Sequence, residues 1–451
     1  MTRSSAASRS RSPPTPAQAP ASASTRPRST TWIRTSRTPT RSTPCSAPSP
    51  SQRPREQAVA DQPSTAAGGD LQITGIGTLF TGKRDNPRLE NVDTVVVKDG
   101  KIAAIGEKSS ESMPTLDLNG ASLLPGLIDP HVHPVFGDFT PRHPAFGWIE
   151  SYVNGGITTM ISAGEPHLPG RPRDAAGVKA LAILAHKSFQ AVRPLGATVH
   201  AGAVLLEPGL TEGDFAEMAA EGVWLVGEIG VSSVYEIEQA LPLVEMAKKH
   251  GFRVPVHVGG ASVPGSNVIG ADIVVGLQPH VAVHCNGGPT APSNDDIARI
   301  IEESSAAVEV VQAGNIRALV DVIAMLRERD ALDRLQIASD TPSGTGIVPS
   351  SILRTMAYTV ALGGLDVDDA VCAATGQTAR RFGLDCGVIE VGAPADFAVL
   401  DAPRGSMASD AAGALEIGDM PAVAAVVTDG IVRLTASRVT PPPQRAATHS
   451  P

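Results

Sequence analysis

The stretch that decides the fold is residues 122–133, SLLPGLIDPHVH, in which an apolar run ends in the alternating pair His131 and His133. Alternate residues of an extended strand project from the same face, so the two imidazoles lie side by side at the strand end. Two imidazoles on one face are half of a metal site. Two surface histidines beside a proline-rich loop would give the same pattern, so the rest of the chain has to decide.

β-Rich and amphipathic helical segments alternate from residue 122 to residue 386. Eight strand candidates with helices between most of them are what a (β/α)8 TIM-like barrel, an α/β fold, requires. A doubly wound sheet is the competitor, but it usually carries a glycine-rich phosphate loop after its first strand, and the sequence has none there. The strand candidates are residues 123–133, 157–162, 197–204, 224–230, 253–259, 280–285, 308–312 and 335–340, and the clearest helix candidates are 174–193, 236–250, 295–304 and 316–329.

Both ends of the barrel region carry further β-rich segments. Asp99-Gly100 separates residues 95–98 from 101–105, and Asp429-Gly430 lies within AVVTDGIVRL, both strong hairpin signals. Two β-rich segments that bracket the chain can pair, which predicts a small β-sandwich domain formed from both chain ends. We therefore expect the sandwich to comprise residues 67–121 and 387–440, with the barrel at 122–386.

The terminal segments differ from the body in composition. Residues 1–66 are rich in Ser, Thr, Pro and Arg, with ten Arg, no Lys and only Glu56 and Asp61 as acids. Such a segment buries too little apolar surface to offset its chain entropy, which predicts a disordered extension. It resembles an organelle transit peptide superficially but lacks an amphipathic helical pattern. We also expect a disordered tail at residues 441–451.

The body carries 27 basic and 44 acidic residues, which argues against a nucleic-acid partner. No apolar run of about 18 residues occurs, so no membrane partner is expected. The four cysteines form no C-x-x-C pair, which suits a reducing compartment and predicts a cytoplasmic location.

Metal-capable side chains recur at the ends of the strand candidates, where barrel enzymes place their reactive groups. One such residue alone is more often a satisfied core or loop side chain, but five strands that each supply at least one favour a shared metal site. The residues are His131 and His133, Glu228 within WLVGEIG, His257 within RVPVHVGG, His284 within HVAVHCNGG and Asp340 at the end of LQIASD.

The chemistry of these groups suits two divalent ions, Zn or Fe rather than Mg or Ca, because imidazole and carboxylate ligands predominate. Glu228 is the natural bridge, since each of its oxygens can hold one ion. Water between two such ions is deprotonated near neutral pH, which predicts a hydroxide nucleophile. Asp340 can take its proton and deliver it to a leaving group, which makes it the candidate catalytic residue.

Several stretches together resemble the amidohydrolase superfamily: PGLIDPHVH (125–133), the metal-capable residues above and the closing segment GVIEVGAPADFAVLD (387–401). Within it, GGITTMISAGEPHLPGRPRDAAG (155–177), HAGAVLLEPGLTEGDF (200–215) and SDTPSGTGIVPSSILR (339–354) resemble the enamidase branch. Many members bridge their metals with a carboxylated lysine, whereas this sequence has Glu228 there. The resemblance implies four terminal histidine ligands, Glu228 as bridge, Asp340 as ligand and proton shuttle, and a homotetramer. His280 would lie at the start of its strand, away from the site.

Candidates for contacts with a small-molecule substrate come from the loops. His167 and His200 follow or lie near the ends of the second and third strands, and Arg171 and Arg173 can bind a carboxylate. Loop and packing roles fit these residues equally well. Asn286 belongs to a glycine- and proline-rich loop that borders the expected site.

We therefore predict a metal-dependent hydrolase of a cyclic amide C–N bond, with an enamidase-type lactam such as 6-oxo-1,4,5,6-tetrahydronicotinate as substrate. Alternatives on the same scaffold are a dihydropyrimidinase-, imidazolone hydrolase- or dipeptidase-like enzyme. A non-catalytic assembly protein is a further alternative, which the retention of all six metal-capable positions disfavours.

Overall fold

The computed structural model describes residues 68–134, 146–164, 170–261, 266–287, 291–342 and 346–451. The predicted disordered extension at residues 1–66 lies outside the described residues. Strands fall into a small two-sheet domain and a parallel barrel, as expected. In chain order they are β1 (Leu71–Thr74), β2 (Thr78–Phe80), β3 (Arg88–Leu89), β4 (Val95–Lys98), β5 (Lys101–Ile105), β6 (Thr115–Asp117), β7 (Ser122–Pro125), β8 (Leu127–Val132), β9 (Ile157–Ser162), β10 (Thr198–His200), β11 (Pro255–His257), β12 (Val281–Val283), β13 (Ala307–Val311), β14 (Leu335–Ala338), β15 (Phe397–Asp401), β16 (Ala422–Thr428), β17 (Ile431–Leu434) and β18 (Thr448–Ser450).

Helices follow most of the barrel strands and cover its outer surface. Within the described residues, none is long and apolar enough to cross a lipid bilayer. They are α1 (Phe146–Asn154), α2 (Ala175–Ala191), α3 (Glu212–Ala220), α4 (Ile237–Lys249), α5 (Ala271–Leu277), α6 (Asn294–Glu303), α7 (Ile316–Glu328), α8 (Ser351–Ala361), α9 (Val367–Ala373), α10 (Gly376–Phe382) and α11 (Ala411–Glu416), with 3₁₀ turns at Pro194–Gly196 and Leu332–Arg334.

The barrel is closed by parallel pairing around its whole circumference. β8, β9 and β10 form one arc, and β11, β12, β13 and β14 form another. Residues 224–230 lie between the arcs as an irregular fourth strand, joined by single bridges from Val226 to Val204 and from Leu225 to Arg253. The ring closes where the Asp340 amide donates to the carbonyl of His131 at 3.0 Å. The predicted (β/α)8 barrel is confirmed.

The start of the barrel lumen is filled with apolar side chains, which include Ile128, Leu225 and Val281. Phe382 of α10 packs into this cluster, with its ring centroid 6.4 Å from that of Trp224. Because this end is packed, polar side chains near the carboxyl ends of the strands are left to form a site at the other end.

Two sheets form the smaller domain, in the orders β18-β6-β1-β4-β5 and β17-β16-β15-β7-β2-β3. In β15, Phe397 and Val399 pack into the core between the sheets, whereas Ala398 and Leu400 pack into the core around the barrel. The central strands β7, β15 and β16 of the six-stranded sheet are buried on both faces, which explains why they read as continuous apolar runs rather than as an alternating pattern. Both Asp-Gly hairpins occur as expected, with positive φ at Asp99 and Asp429.

Two predicted boundaries are wrong. Residues 123–133 form two strands, because β7 pairs with β15 in the small domain and only β8 enters the barrel. The expected disordered tail is ordered: β18 pairs with β6, and Arg445 donates to Asp401, whose side chain is completely buried. A buried carboxylate requires a charged or hydrogen-bonding partner. The bonds from Arg445 to Asp401 therefore hold residues 441–451 against the small domain.

Candidate metal centre

The six residues predicted as ligands meet at the carboxyl ends of the barrel strands. They form two triads, His131 with His133 and Asp340, and Glu228 with His257 and His284, and in each triad the nitrogen and oxygen atoms lie within 4.8 Å of one another. Five of these side chains are at most 7% exposed, whereas Asp340 is 23% exposed. Asp340 is therefore the member of the cluster that solvent or a substrate reaches most readily.

Glu228 lies between the triads and turns one oxygen toward each. Its Oε1 is 4.0 Å from Nε2 of His131, and its Oε2 is 3.2 Å from Nε2 of His284 and 3.8 Å from Nδ1 of His257. On the other side, Oδ1 of Asp340 is 3.3 Å from Nε2 of His133 and 3.5 Å from Nε2 of His131. This is the arrangement that a carboxylate shared by two ions requires.

The outer ring nitrogens of three histidines are held by acceptors. Nδ1 of His133 donates to the Gly164 carbonyl at 2.8 Å, Nε2 of His257 donates to the Gly260 carbonyl at 3.1 Å, and Nδ1 of His131 lies 2.7 Å from Oε1 of Glu309. Such bonds orient each ring so that its opposite nitrogen, the one that can serve as a metal ligand, is aimed into the cluster.

The donor set fits divalent transition-metal ions. Nε2 of His131 and Nδ1 of His257 are buried and have no hydrogen-bond partner among the described residues. Imidazole nitrogens that face carboxylate oxygens at this spacing are the usual ligands of Zn(II) and related ions. A cation in each triad would satisfy the orphaned nitrogen of that triad.

The electrostatics of the cluster also favour positive charge. Burial opposes protonation of His131, but the carboxylates of Glu309, Asp340 and Glu228 outweigh it and raise the pKa of His131 to about 10. Burial likewise opposes ionisation of Glu228, yet the nearby imidazoles of His257, His284 and His131 hold the pKa of Glu228 well below its usual range. A buried set of carboxylates that stays ionised requires a cation nearby.

Backbone geometry at the strand ends aims two of the ligating side chains. Asp340 has φ +56° and His284 has φ +39°, both in the left-handed region that side chains rarely occupy. Asp129 secures the first of these positions, because its buried Oδ1 accepts the amides of His131 at 3.3 Å and Ser339 at 3.1 Å. It thereby ties the first strand to the eighth directly before Asp340.

The predicted substrate-contact residues that the structure describes belong to loops and to β10. His167 lies outside the described residues. Arg171 is buried and donates to Glu207 at 2.7 Å, so its charge is already paired. Arg173 is exposed. Neither arginine is placed by a described contact near the triads.

His200 packs against an aromatic ring, and Asn286 is hydrogen-bonded to the backbone of a strand. The ring of His200 stands edge-on to Trp224 with centroids 5.3 Å apart, and burial lowers the pKa of His200 to about 4. The side-chain amide of Asn286 bonds both the amide (2.7 Å) and the carbonyl (3.0 Å) of Val311. Asn286 thus fixes its loop to β13, and its contact with a substrate stays a prediction. His280 lies before β12 as expected, and its Nδ1 accepts the Val254 amide at 3.0 Å.

Sequence reasoning missed Glu309, which touches the cluster from β13. The signal was present, because Glu309 is an acid within the apolar strand AVEVV and is completely buried. The same argument that singled out Glu228 applies to it, since a buried charge needs a partner.

Comparisons with known proteins found a matching family profile, curated relatives and a similar solved structure. A profile described as "Amidohydrolase family" matches residues 122–436. The enamidase of Eubacterium barkeri is 47% identical over 379 residues, which cover 83% of this chain and 98% of that protein. A crystal structure of enamidase superimposes with a TM-score of 0.81 at 46% identity and covers 84% of this chain and 100% of that one. The imidazolonepropionase of Kosmotoga olearia is 24% identical over 73% of this chain and 92% of its own length.

Proposed function

This chain belongs to the amidohydrolase family, and we propose that it is a metal-dependent hydrolase of the C–N bond of a cyclic amide, of the enamidase type. The observation that carries the proposal is the 47% identity to an enamidase across 98% of that protein's length. The imidazolonepropionases align at about half that identity, which favours them less. A non-catalytic protein on the same fold has no reason to keep a charged cluster buried at the strand ends.

We propose His131, His133, His257 and His284 as terminal ligands and Glu228 as the bridge between two divalent ions, Zn or Fe. The opposed oxygens of Glu228 and the orphaned nitrogens of His131 and His257 support this assignment. Such a pair of ions, when bound, supplies hydroxide at neutral pH and polarises a carbonyl.

Asp340 is the proposed proton shuttle. Its oxygen lies within 3.5 Å of two histidines, and its 23% exposure makes it the cluster member nearest to an incoming ring. It accepts the proton that water releases and returns it to the ring nitrogen as the C–N bond breaks. The remaining cluster atoms are buried, which excludes bulk water from the reacting groups.

The proposed substrate is a lactam whose nitrogen bears a carbon–carbon double bond, as in 6-oxo-1,4,5,6-tetrahydronicotinate. Addition of one water opens the ring to a carboxylate and an enamine. The enamine tautomerises to an imine, and a second water converts the imine to an aldehyde and ammonia. Only the first hydrolysis needs the metal centre.

A substrate panel tests the proposal. Metal-loaded protein is incubated with the lactam, with dihydrouracil, with imidazolone propionate and with a β-aspartyl dipeptide, and substrate loss and ammonia release are measured. We expect the lactam to be consumed with one ammonia released per ring opened, and the Asp340→Asn variant to turn over far more slowly. Preferential hydrolysis of another panel member would replace the enamidase assignment and keep the family.

Compartment and assembly are further parts of the proposal. The described cysteines Cys285, Cys372 and Cys386 are free thiols, which supports a cytoplasmic location. The family resemblance supports a homotetramer, and light scattering during gel filtration measures its mass directly. We propose no nucleic-acid or membrane partner.

A further inference from the structure

Glu309 occupies the inside of the barrel wall beneath the candidate ligands. In β13, Val308 and Val310 pack into the core around the barrel, so Glu309 between them points into the lumen. Its residue exposure is 0%. Burial of a carboxyl group at this depth is costly unless it has polar partners.

One oxygen of Glu309 contacts a member of each triad. Oε1 lies 2.7 Å from Nδ1 of His131 and accepts the backbone amide of His284 at 3.2 Å. His284 is the residue whose φ of +39° lies in the left-handed region. The same atom therefore faces the ring of one ligand and the strained backbone of another.

The partner of His131 differs in charge from the partners of two other ligands. His133 and His257 donate to the neutral carbonyls of Gly164 and Gly260, whereas His131 meets a carboxylate. A carboxylate behind an imidazole fixes the tautomer, aligns the ring and makes the opposite nitrogen more basic. Nε2 of His131 is the nitrogen that this arrangement leaves for an ion.

We propose that Glu309 is a positioning residue of the metal centre, which holds Nε2 of His131 toward an ion and supports the His284 backbone. The inference rests on the proposed ligands and holds whichever ring is the substrate. It predicts that Glu309 governs metal affinity without touching metal or substrate.

The test compares Glu309→Leu and Glu309→Gln with Gln336→Leu as the matched control. Gln336 is paired with Glu309 across β13 and β14 and is equally buried, and its side chain has no hydrogen-bond partner among the described residues. Zn(II) affinity is measured by competition with a fluorescent chelator, and anomalous diffraction from Zn-soaked crystals measures occupancy at each triad.

We expect Glu309→Leu to weaken binding of at least one ion by about 10- to 100-fold, the usual effect of removing such a partner. The loss should be greatest at the triad that contains His131. Glu309→Gln keeps an oxygen acceptor without the charge and should fall between wild type and Glu309→Leu, while Gln336→Leu should bind as wild type does.

Wild-type affinity for both ions in a folded Glu309→Leu protein would overturn the inference, as would an equal loss in Gln336→Leu. If Glu309→Leu does not fold, the isosteric Glu309→Gln decides alone, and unchanged affinity there counts against the inference. Failure of the lactam to react, with metal affinity still dependent on Glu309, would refute the proposed substrate and leave this inference standing.

Discussion

Replacing Asp340 with asparagine should strongly reduce turnover while it preserves the fold and most of the metal. Asparagine has nearly the same shape and keeps an oxygen where Oδ1 of Asp340 now lies, 3.3 Å from His133 and 3.5 Å from His131. It also tolerates the left-handed backbone at φ +56°, which most side chains do not. What it loses is the ability to carry a proton.

The magnitude follows from that loss. A positioned acid or base contributes about 10²- to 10⁴-fold to a rate. At 1.36 kcal/mol for each factor of ten, the barrier should rise by about 3–5 kcal/mol. We expect the loss in kcat, with little change in KM, because the amide leaves the volume of the site unchanged.

The assay combines steady-state kinetics on the lactam with metal analysis by mass spectrometry and thermal unfolding. Asp340→Ala serves as the contrasting variant, since alanine lacks both the oxygen and the tolerance for this backbone conformation and should also lose metal and stability. An Asp340→Asn protein with full activity would remove Asp340 from proton transfer. Loss of both ions in Asp340→Asn would instead show that Asp340 acts chiefly as a metal ligand.

Three further predictions concern the metal bridge and the small domain. Glu228→Gln should lower metal content from about two ions per chain to one or fewer, measured by mass spectrometry, because an amide cannot neutralise two ions. Arg445→Met should cost about 1–3 kcal/mol in urea unfolding and leave kcat unchanged, because it strips donors from the buried carboxylate of Asp401. Burial raises the pKa of Asp396 to about 6, against opposing bonds and charges, so folding favours its protonated form and the wild type loses stability as pH rises from about 4 to 6. Asp396→Asn should therefore match wild type below pH 4 and exceed it above pH 6 by at most about 3 kcal/mol, measured by urea unfolding at both pH values.

Each of these has a result that would contradict it. Two tightly held ions in Glu228→Gln would show that a residue other than Glu228 bridges them. Wild-type stability in Arg445→Met would mean that the backbone amide of Arg445, 2.6 Å from Asp401, suffices alone. A stability difference at Asp396 that does not vary with pH would show that hydrogen bonding rather than ionisation sets the effect.

The six candidate ligands could be picked out from the sequence because their signal is local. His131 and Glu228 are polar side chains in apolar strands, and strand ends converge in a barrel whatever the loops do. The family and the fold inferred from these motifs are confirmed by the profile match and by the enamidase superposition. Glu309 carried the same signal and was missed because it lies near the start of its strand candidate, 308–312, rather than near the end where reactive groups were sought.

Other features depended on pairing across distant parts of the chain. The division of residues 122–133 between two sheets depends on β15, which lies more than 260 residues away and pairs with β7. Residues 441–451 are ordered because Arg445 bonds to the buried side chain of Asp401. The role of Asn286 depends on the Val311 backbone. Spacing along the sequence reveals none of these partners, because each arises only when the chain has folded.

The six-stranded sheet also imposes an order on the folding of a newly made chain. β7 and the barrel are synthesised before β15, β16 and β17, yet β15 lies directly beside β7 and packs one face against the barrel. Because synthesis adds about 5–20 residues per second, the edge of β7 that pairs with β15 stays unpaired for many seconds until β15 leaves the ribosome. During that time an apolar strand with unpaired amides is exposed to other chains. Expression at lower temperature or with additional chaperone should therefore raise the soluble yield of the whole chain, and a fragment that ends before residue 397 should aggregate.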